Sequence, residues 1–371
     1  MKILFVNTHY YMPQSYGGMA NTLHQLCLGL RSLNHDVSVL SGFRKATDFL
    51  SLRCRLDMAT RKRLSGVNAS RDTHLSYPVW RSWKPADTLE AVVGLEKPDI
   101  IVVMGGAVVP VVRSARRLEL PIIIQVHDIE EEWHKGDFRE VIDLPLVANS
   151  RFTAKTYQER YGANAQVIYP YMTLGQYKVN SSRRRVVFIN PIFRKGLRTG
   201  HEVARMCPHI PFTFVGDLPR FDEDGTPVDP SIFALPNVSY RPFCSDMRDI
   251  YKDCRILFVP SQWDEAYGRV VNEAQVSGIP VLASTRGGIP EAVGGGGILL
   301  DANAKPEMWA AALDRIHGDE AVYCELSKAA LASVSRPELD PDRQVKAHEN
   351  TMIHAIASVD MRPVSRLEGP V

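Results

Sequence analysis

The sequence lacks three features that would assign it to a specialised class of protein. Its six cysteines are scattered, without a CxxC pair, so neither a zinc site nor a disulfide framework is predicted and reduced thiols are expected. Lys and Arg number 44 against 42 acidic residues, so bulk charge gives no reason to expect binding to nucleic acid. The longest apolar stretch, residues 100–112, is shorter than the roughly 20 residues that span a bilayer.

What is present is an ordinary globular composition in a chain of 371 residues, with 45% hydrophobic and 23% charged residues. This length is too great for one compact core and suits two domains. Met1 and Lys2 run straight into a short strand-like segment, so no signal peptide is predicted and a cytoplasmic location is expected.

Short apolar runs alternate with segments of helical period in two successive blocks, which predicts two doubly wound α/β domains. The predicted strands are residues 3–7, 36–40, 100–104, 122–126 and 144–148, then 186–189, 212–215, 238–240, 256–259 and 281–283. The polar, basic stretch 180–185 suits a linker. We therefore predict an N-terminal domain of residues 1–175, a second domain of residues 183–340, and a C-terminal segment of residues 341–371 whose helix packs back onto the first domain.

Residues 49–83 form the least regular part of the sequence and are rich in basic side chains. These are Arg53, Arg55, Arg61, Lys62, Arg63, Arg71 and Arg81. One interpretation is the solvated face of a helix. The other is a basic flap that meets a phosphate-bearing or lipid-linked acceptor, or an anionic bilayer surface.

The most informative segment is residues 260–284. A predicted strand ends at Val259, a loop carries Glu265, Gly268 permits close approach of the backbone, and a helix then begins. Unpaired N–H groups and the helix dipole attract phosphate at such a position. Glu273 follows eight positions after Glu265, so one carboxylate lies in the loop and one on the helix.

This segment resembles the Glu-x7-Glu signature of glycosyltransferase family 4, whose members have the GT-B fold. The similar motifs at residues 278–281 and 287–291 follow it. The resemblance implies two Rossmann-like domains facing across a cleft, with a C-terminal helix crossing back to the first domain. It also implies that Glu265 contacts the donor sugar and Glu273 the nucleotide ribose. Ala266, Tyr267 and Gly268 complete the donor-binding loop.

A second family-like element covers residues 188–196. Lys195 and Gly196 match the Lys-Gly of the family, so the resemblance makes Lys195 the cation that faces the donor pyrophosphate. Asn190 stands where the family typically has Arg, and Arg194 could supply part of that charge. Gly216 and Phe243 match other donor-side positions of the family.

The resemblance implies no metal requirement and no cofactor besides the donor, because preorganised cations and backbone donors can stabilise the departing diphosphate. The acidic segment Asp222-Glu223-Asp224 lies in a polar, glycine-rich stretch and is interpreted as a solvated turn.

In the first half, Gly17 and Gly18 resemble the glycine loop that approaches the donor phosphate and acceptor, although a tight turn without a ligand is the alternative. His127 ends a predicted strand where the family often has a His beside the transferred sugar, although a lone His is usually structural. Asn149 and Ser150 resemble an architectural strand-end pair.

The resulting prediction is a retaining glycosyltransferase of hexosyltransferase type, acting in polysaccharide, lipopolysaccharide or other glycoconjugate biosynthesis. The expected partners are a UDP- or GDP-sugar donor and a carbohydrate, lipid-linked or small-molecule acceptor, with peripheral contact to the inner face of a membrane left open. Two alternatives are a nucleotide-sugar epimerase with the same fold and a catalytically weak protein that binds sugar nucleotides.

Overall fold

The computed structural model describes residues 1–222 and 224–360, so Glu223 and the predicted tail after residue 360 lie outside the described residues. The chain divides into two compact units. The first unit consists of Met1–Asn149, Ala154–Tyr171 and the segment from Asp342 onward. The second unit consists of Ser150–Thr153 and Met172–Pro341.

The first unit is built on an eight-stranded sheet with the order β3-β4-β2-β1-β5-β6-β7-β8. Its strands are β1 Lys2–Tyr10, β2 Asp36–Gly42, β3 Ser70–Asp72, β4 Val79–Ser82, β5 Ile100–Met104, β6 Ile122–Val126, β7 Leu146–Ala148 and β8 Ala165–Val167. All pairings are parallel except that of β3 with β4. The central strands β5 and β6 are buried along their whole length, as expected for a parallel sheet covered on both faces.

Helices follow the strands of this unit: α1 Gly18–Ser32, α2 Phe49–Ser65, α3 Pro85–Glu96, α4 Val108–Arg116 and α5 Arg151–Tyr161, whose first three residues belong to the second unit. In α1 the side chains of Leu23, Leu26 and Leu30 recur at helical spacing and are fully buried against the sheet. This stripe fixes the side of α1 that faces the core.

The second unit contains a six-stranded, all-parallel sheet with the order β11-β10-β9-β12-β13-β14. Its strands are β9 Arg185–Ile189, β10 Phe212–Val215, β11 Val238–Arg241, β12 Cys254–Val259, β13 Val281–Ser284 and β14 Gly297–Leu300. Its helices are α6 Leu197–Met206, α7 Arg248–Tyr251, α8 Arg269–Gln275, α9 Ile289–Val293, α10 Pro306–Gly318 and α11 Glu320–Val334.

The last described helix, α12 Pro341–Asp360, returns to the first unit. Val345, Met352 and Ala355 join the same buried cluster as the leucines of α1. Beside this cluster, Nε2 of His35 lies 2.8 Å from the Glu349 carboxylate, and both side chains are mostly buried. The predicted C-terminal helix is therefore confirmed as part of the first unit's core.

The two-domain α/β architecture and the ten predicted strands are confirmed: twelve of their twenty bounds are exact, and the other eight shift by one to three residues. Four short strands were not predicted: β3, β4, β8 and β14. The irregular basic region contains a regular 17-residue helix, α2. Within the described part of the chain, no helix has both the length and the apolar composition needed to cross a membrane.

Candidate active site

The order of the second sheet locates a switch point between β9 and β12. From β9 the chain proceeds outward to β10 and β11, then returns to the other side of β9 to form β12. Ligands of doubly wound sheets bind outside the carboxyl ends of the strands at such a point. The loops after β9 and β12 carry Lys195 and Glu265, so strand order alone makes these two residues neighbours.

The two loops are fixed to each other by their backbones. Gly196, the residue before α6, has a φ of 88°, and a Cβ there would lie 2.0 Å from the carbonyl oxygen of Pro260. The N–H of Gln262 also donates to the carbonyl of Arg194 at 3.0 Å. Gly196 is therefore required both for its left-handed backbone and for the close contact between the loops.

The side chains of Lys195 and Glu265 form an ion pair at this point. The hydroxyl of Ser261 lies 3.4 Å from the same carboxylate oxygen of Glu265. Both side chains remain partly exposed, at 24% for Lys195 and 17% for Glu265. They are thus held in a defined geometry while remaining accessible to a ligand.

The motif at residues 287–291 supports the Glu265 loop from behind. The N–H of Gly288 donates to the carbonyl of Glu265 at 2.7 Å. A Cβ on Gly287 would lie 2.2 Å from that carbonyl, and a Cβ on Gly288 would lie 2.5 Å from the carbonyl of Ala266. Any side chain at either glycine would push the Glu265 loop away.

Glu291, from the same motif, has an architectural position. Its carboxylate accepts the N–H groups of Arg151 at 2.9 Å and Phe152 at 2.6 Å, which lie in the first turn of α5. The Ser150 hydroxyl caps the same turn by accepting the N–H of Thr153 at 2.9 Å. A carboxylate at a helix N-terminus is favourable because of the helix dipole.

Asn190 and Arg194 occupy positions that explain their residue types. Asn190 has a φ of 57°, and Asn tolerates this left-handed conformation better than Arg. Its N–H donates to the carbonyl of Val215 at 2.7 Å, which brings it beside Gly216 at the end of β10. The Arg194 guanidinium lies over the ring of Trp263, 4.7 Å from its centroid, so its charge is already engaged.

The other predicted donor-binding residues offer a ligand either backbone groups or an exposed ring. Gly268 precedes α8 with a φ of 97°. The side chain of Tyr267 is buried and its hydroxyl donates to Asn272 at 2.6 Å, so only its backbone is available to a ligand. Phe243 follows the edge strand β11 and is half exposed.

Glu273 is more deeply buried than Glu265 and already has protein partners. Its carboxylate accepts the Tyr251 hydroxyl at 3.1 Å and lies 3.4 Å from Nε of Arg269, one helical turn earlier. Arg269 in turn donates to the Tyr177 hydroxyl at 3.1 Å. Burial and the Glu273 charge raise the pKa of Tyr251 well above its usual value, which keeps Tyr251 a hydrogen-bond donor. A ribose at Glu273 would have to join or displace these partners.

A cavity of about 330 Å³ opens beside the Glu265 loop within the second unit. Asp264, Arg286, Gly287 and Asp301 are among its lining residues. The Asp264 carboxylate lies 3.7 Å from the Arg286 guanidinium. Acidic and basic side chains therefore surround a space that can hold a small polar ligand.

The site residues predicted in the first half belong to the first unit. Gly17 precedes α1 with a φ of −64°, and a Cβ there would make only an ordinary contact with the Ser15 hydroxyl at 4.0 Å, so neither strain nor a neighbour requires glycine there. Gly18 is the first residue of α1. His127 follows β6, is partly buried, and accepts the Asn149 side-chain amide on its carbonyl at 3.5 Å.

Asp128, beside His127, is a titratable group to which the sequence analysis assigned no role. Burial and the nearby Glu130 raise its pKa to about 7, although a backbone hydrogen bond from Gly106 opposes the shift. Gly105 and Gly106, after β5, both have positive φ, and Gly106 contacts the Thr8 side chain. Paired glycines directly after a buried strand were a sequence signal for this turn.

Within residues 1–222 and 224–360, no three His, Cys, Asp or Glu side chains are grouped so that they could hold a metal ion. At the ends of β9 and β12, the Lys195 ammonium and the backbone amides after Gly196 and Gly268 are groups that can meet an anion.

Solved structures share this architecture at low sequence identity. Sucrose-phosphate synthase from Thermosynechococcus elongatus superposes with a TM-score of 0.71 and 16% identity, covering 96% of this chain and 99% of that one. HepE from Anabaena, solved in complex with UDP-glucose, gives a TM-score of 0.71 and 19% identity, covering 95% and 100%. At these identities the likeness concerns the fold.

Curated relatives match over a shorter segment. D-inositol 3-phosphate glycosyltransferase from Corynebacterium diphtheriae is 38% identical over 88 residues, which are 23% of this chain and 20% of the relative. The match thus spans about a fifth of the curated relative.

Two family descriptions match consecutive parts of the sequence. "Glycosyltransferase Family 4" matches residues 16–172, and "Glycosyl transferases group 1" matches residues 185–319. Together they cover most of the chain and correspond to its two sheets. With its GT-B architecture and the Lys195–Glu265 arrangement at the switch point of the second sheet, the chain belongs to glycosyltransferase family 4.

Proposed function

We propose that the protein transfers a sugar from a nucleoside diphosphate sugar to an acceptor hydroxyl, with retention of configuration at the anomeric carbon. The observation that carries this proposal is the ion pair of Lys195 and Glu265 at the switch point between β9 and β12. A cation and a carboxylate there suit the two halves of such a donor, its diphosphate and its sugar hydroxyls. The complex of HepE with UDP-glucose supports a donor of this class.

Lys195 is the cation assigned to the diphosphate. Its ammonium has three N–H donors, so it can hold Glu265 and still donate to phosphate oxygens. Arg194 lies over Trp263 and Asn190 is neutral, so Lys195 carries the main side-chain charge at the end of β9. Backbone amides after Gly196 and Gly268 add further donors.

Glu265 is assigned to the sugar, where it accepts hydrogen bonds from hydroxyls near the reacting carbon. Gly216 and Gly268 have no side chain, so the protein backbone at these positions can contact the donor closely. Phe243 offers an exposed ring to the base of the nucleotide. Glu273 is assigned to the ribose hydroxyls, which would add to its contacts with Tyr251 and Arg269. The second unit would then hold most of the donor.

In the proposed step the bond between the anomeric carbon and the phosphate oxygen breaks, and the acceptor oxygen bonds to the same face of the sugar. The acceptor proton passes to the departing phosphate. Lys195 and the backbone amides stabilise the negative charge that develops there, so we propose that no divalent cation is needed. In the first unit, His127 is assigned to the transferred sugar, and Gly17 and Gly18 are assigned to the donor phosphate and the acceptor.

The acceptor class is open to direct test. The name of the curated relatives makes a phosphorylated inositol one candidate, beside carbohydrate and lipid-linked acceptors. We propose a role in cytoplasmic assembly of polysaccharide, lipopolysaccharide or another glycoconjugate.

The test is incubation of the purified protein with UDP- and GDP-sugars, with and without each acceptor class, while released nucleoside diphosphate and sugar product are measured. Transfer that needs an acceptor and persists in a chelator supports the proposal. Conversion of the donor alone into another nucleotide sugar would indicate an epimerase.

A matched pair of variants connects any activity to the site. Glu265→Gln should abolish transfer, whereas Glu325→Gln, on the exposed surface of α11, should leave it unchanged. Full turnover by Glu265→Gln would contradict the assignment of the site.

A further inference from the structure

Helix α2 has apolar side chains on its solvent side. Phe49, Leu52 and Leu56 recur at spacings of three and four, which places them along one side of a helix. Their exposed fractions are 80%, 48% and 63%, and Leu64 at the other end of the helix is 80% exposed. Large apolar side chains are seldom exposed in such a row on monomeric soluble proteins, and exposed apolar patches of this kind mark interaction sites.

The opposite side of α2 explains how the helix is held. Ser51, Cys54 and Met58 are buried, and the last two form a small cluster with Phe43. The ring of Trp83 packs edge-on against Phe43, with centroids 4.6 Å apart, and is itself 47% exposed. The inner side of α2 therefore anchors the helix, and the apolar side chains on its outer side are not needed for this packing.

Basic side chains surround the outer side. Arg53, Lys62 and Arg63 are exposed and Arg55 is partly buried. Among the residues that the structure describes, no carboxylate lies within ion-pair distance of any of these four. The one acidic residue of the helix, Asp57, is paired with Arg61. The positive charge next to the apolar row is thus not neutralised by an ion pair within the described part of the chain.

We propose that the outer side of α2 binds the surface of an anionic lipid bilayer. Phe49, Leu52 and Leu56 enter the boundary between headgroups and acyl chains, and Arg53, Lys62 and Arg63 meet lipid phosphates. An apolar row flanked by Lys and Arg is typical of helices that lie parallel to the membrane surface, in the interface between headgroups and acyl chains. Basic residues add attraction to anionic lipids, and a Trp at the edge suits the headgroup region.

The choice of a bilayer over a protein partner rests on charge. Protein interfaces are depleted in Lys, whereas phosphates of an anionic surface complement Lys and Arg in any arrangement. The inference uses no residue of the proposed donor site, so its failure would leave the proposed sugar transfer standing.

The test is co-sedimentation of the full chain with vesicles of phosphatidylcholine alone and of phosphatidylcholine mixed with phosphatidylglycerol. We expect binding to the anionic vesicles that weakens as salt increases. The triple variant Phe49→Ser/Leu52→Ser/Leu56→Ser should lower the partition coefficient at least about tenfold. Arg53→Gln/Lys62→Gln/Arg63→Gln should lower binding and reduce its salt dependence.

The matched control is Met308→Ser/Leu331→Ser, which removes two exposed apolar side chains from α10 and α11 of the second unit. It should bind vesicles as the unchanged chain does. Equal binding of neutral and anionic vesicles, or unchanged binding by the triple Ser variant, would overturn the proposal. So would a triple variant whose only effect is to shift a dimer to a monomer, because the outer side of α2 would then be a contact between copies.

A second measurement needs no substitution. Amide hydrogen exchange of residues 49–65 in the unchanged chain should slow when anionic vesicles are added, while exchange in α10 and α11 stays the same. Unaltered exchange in α2 at saturating anionic vesicles would also overturn the proposal.

Discussion

The ammonium group of Lys195 forms an ion pair with the carboxylate of Glu265, although the two residues are 70 positions apart in the sequence. The pair forms because β9 and β12 are neighbours in the sheet and both loops leave from the same edge. Gly196, packed against the Pro260 carbonyl, keeps the loops together. Substitutions at Lys195 and at Gly287, which contacts the Glu265 loop, test this geometry.

Lys195→Met is expected to lower kcat for sugar transfer by about 100-fold or more, because one preorganised donor to developing charge contributes roughly that much. Steady-state kinetics with a saturating donor measure the effect. Lys328→Met changes an exposed lysine of α11 and serves as the control. Equal kcat values for the two variants would mean that Lys195 does not face the leaving group.

Gly287→Ala is expected to displace the Glu265 loop, because the new Cβ would meet the Glu265 carbonyl at 2.2 Å and the backbone there has a φ of 56°. A shift of this kind can reduce kcat/KM by about 100-fold. Gly295→Ala is the matched control, since the nearest atom to its Cβ would be 3.8 Å away. An active Gly287→Ala variant would show that the loop tolerates displacement.

Glu273→Ala is expected to lower the free energy of unfolding by about 3 kcal/mol, because it leaves the Arg269 charge buried without its carboxylate. Urea denaturation measures this. Glu265→Ala removes a more accessible carboxylate and should cost less. If Arg269→Leu restores the stability of Glu273→Ala, the lost stability comes from the unpaired charge rather than from an emptied volume.

Acid should destabilise the fold through His348. Burial lowers its pKa from 6.5 to about 4, so the unfolded chain binds the proton more readily than the folded chain does. Above pH 6.5 the imidazole is neutral in both states, and the free energy of unfolding is not reduced by its protonation. As the pH falls from 6.5 towards 4, protonation of His348 in the unfolded chain lowers the free energy of unfolding by about 3 kcal/mol.

The measurement for His348 is the free energy of unfolding against pH for the unchanged chain and for His348→Leu. Burial also lowers the pKa of His134 to about 4, so His134 contributes the same pH dependence of the free energy of unfolding in both proteins. The variant should therefore show a shallower decline, and parallel curves would count against the assignment to His348.

The sequence predicted the central elements well and the edges poorly, for physical reasons. The bounds of β5 and β6 were predicted without error because runs of Ile and Val buried on both faces leave a continuous signal. By contrast, β3 has three residues and β4 four, too few to show a period. A helix at α2 was only one of two interpretations of the basic region, because its apolar residues lie on both its inner and outer sides and leave no single stripe.

At the candidate site, sequence spacing could indicate which residues belong together but not their burial. The helical spacing of four between Arg269 and Glu273 was visible in the sequence, whereas the Tyr251 hydroxyl reaches Glu273 from an element 22 residues away. The left-handed backbone of Asn190 also had no sequence signal beyond its residue type. The roles assigned to Glu265, Glu273 and His127 stay predictions.

The return of α12 to the first unit makes that unit discontinuous, since it needs Val345, Met352 and Ala355 to complete its core. During synthesis the ribosome finishes the second unit first, although it begins later in the sequence. The usual order, in which N-terminal domains fold first, is therefore reversed for the last steps of folding. A fragment ending at residue 340 would leave the beginning of the chain incomplete, even though the residues removed lie at its other end.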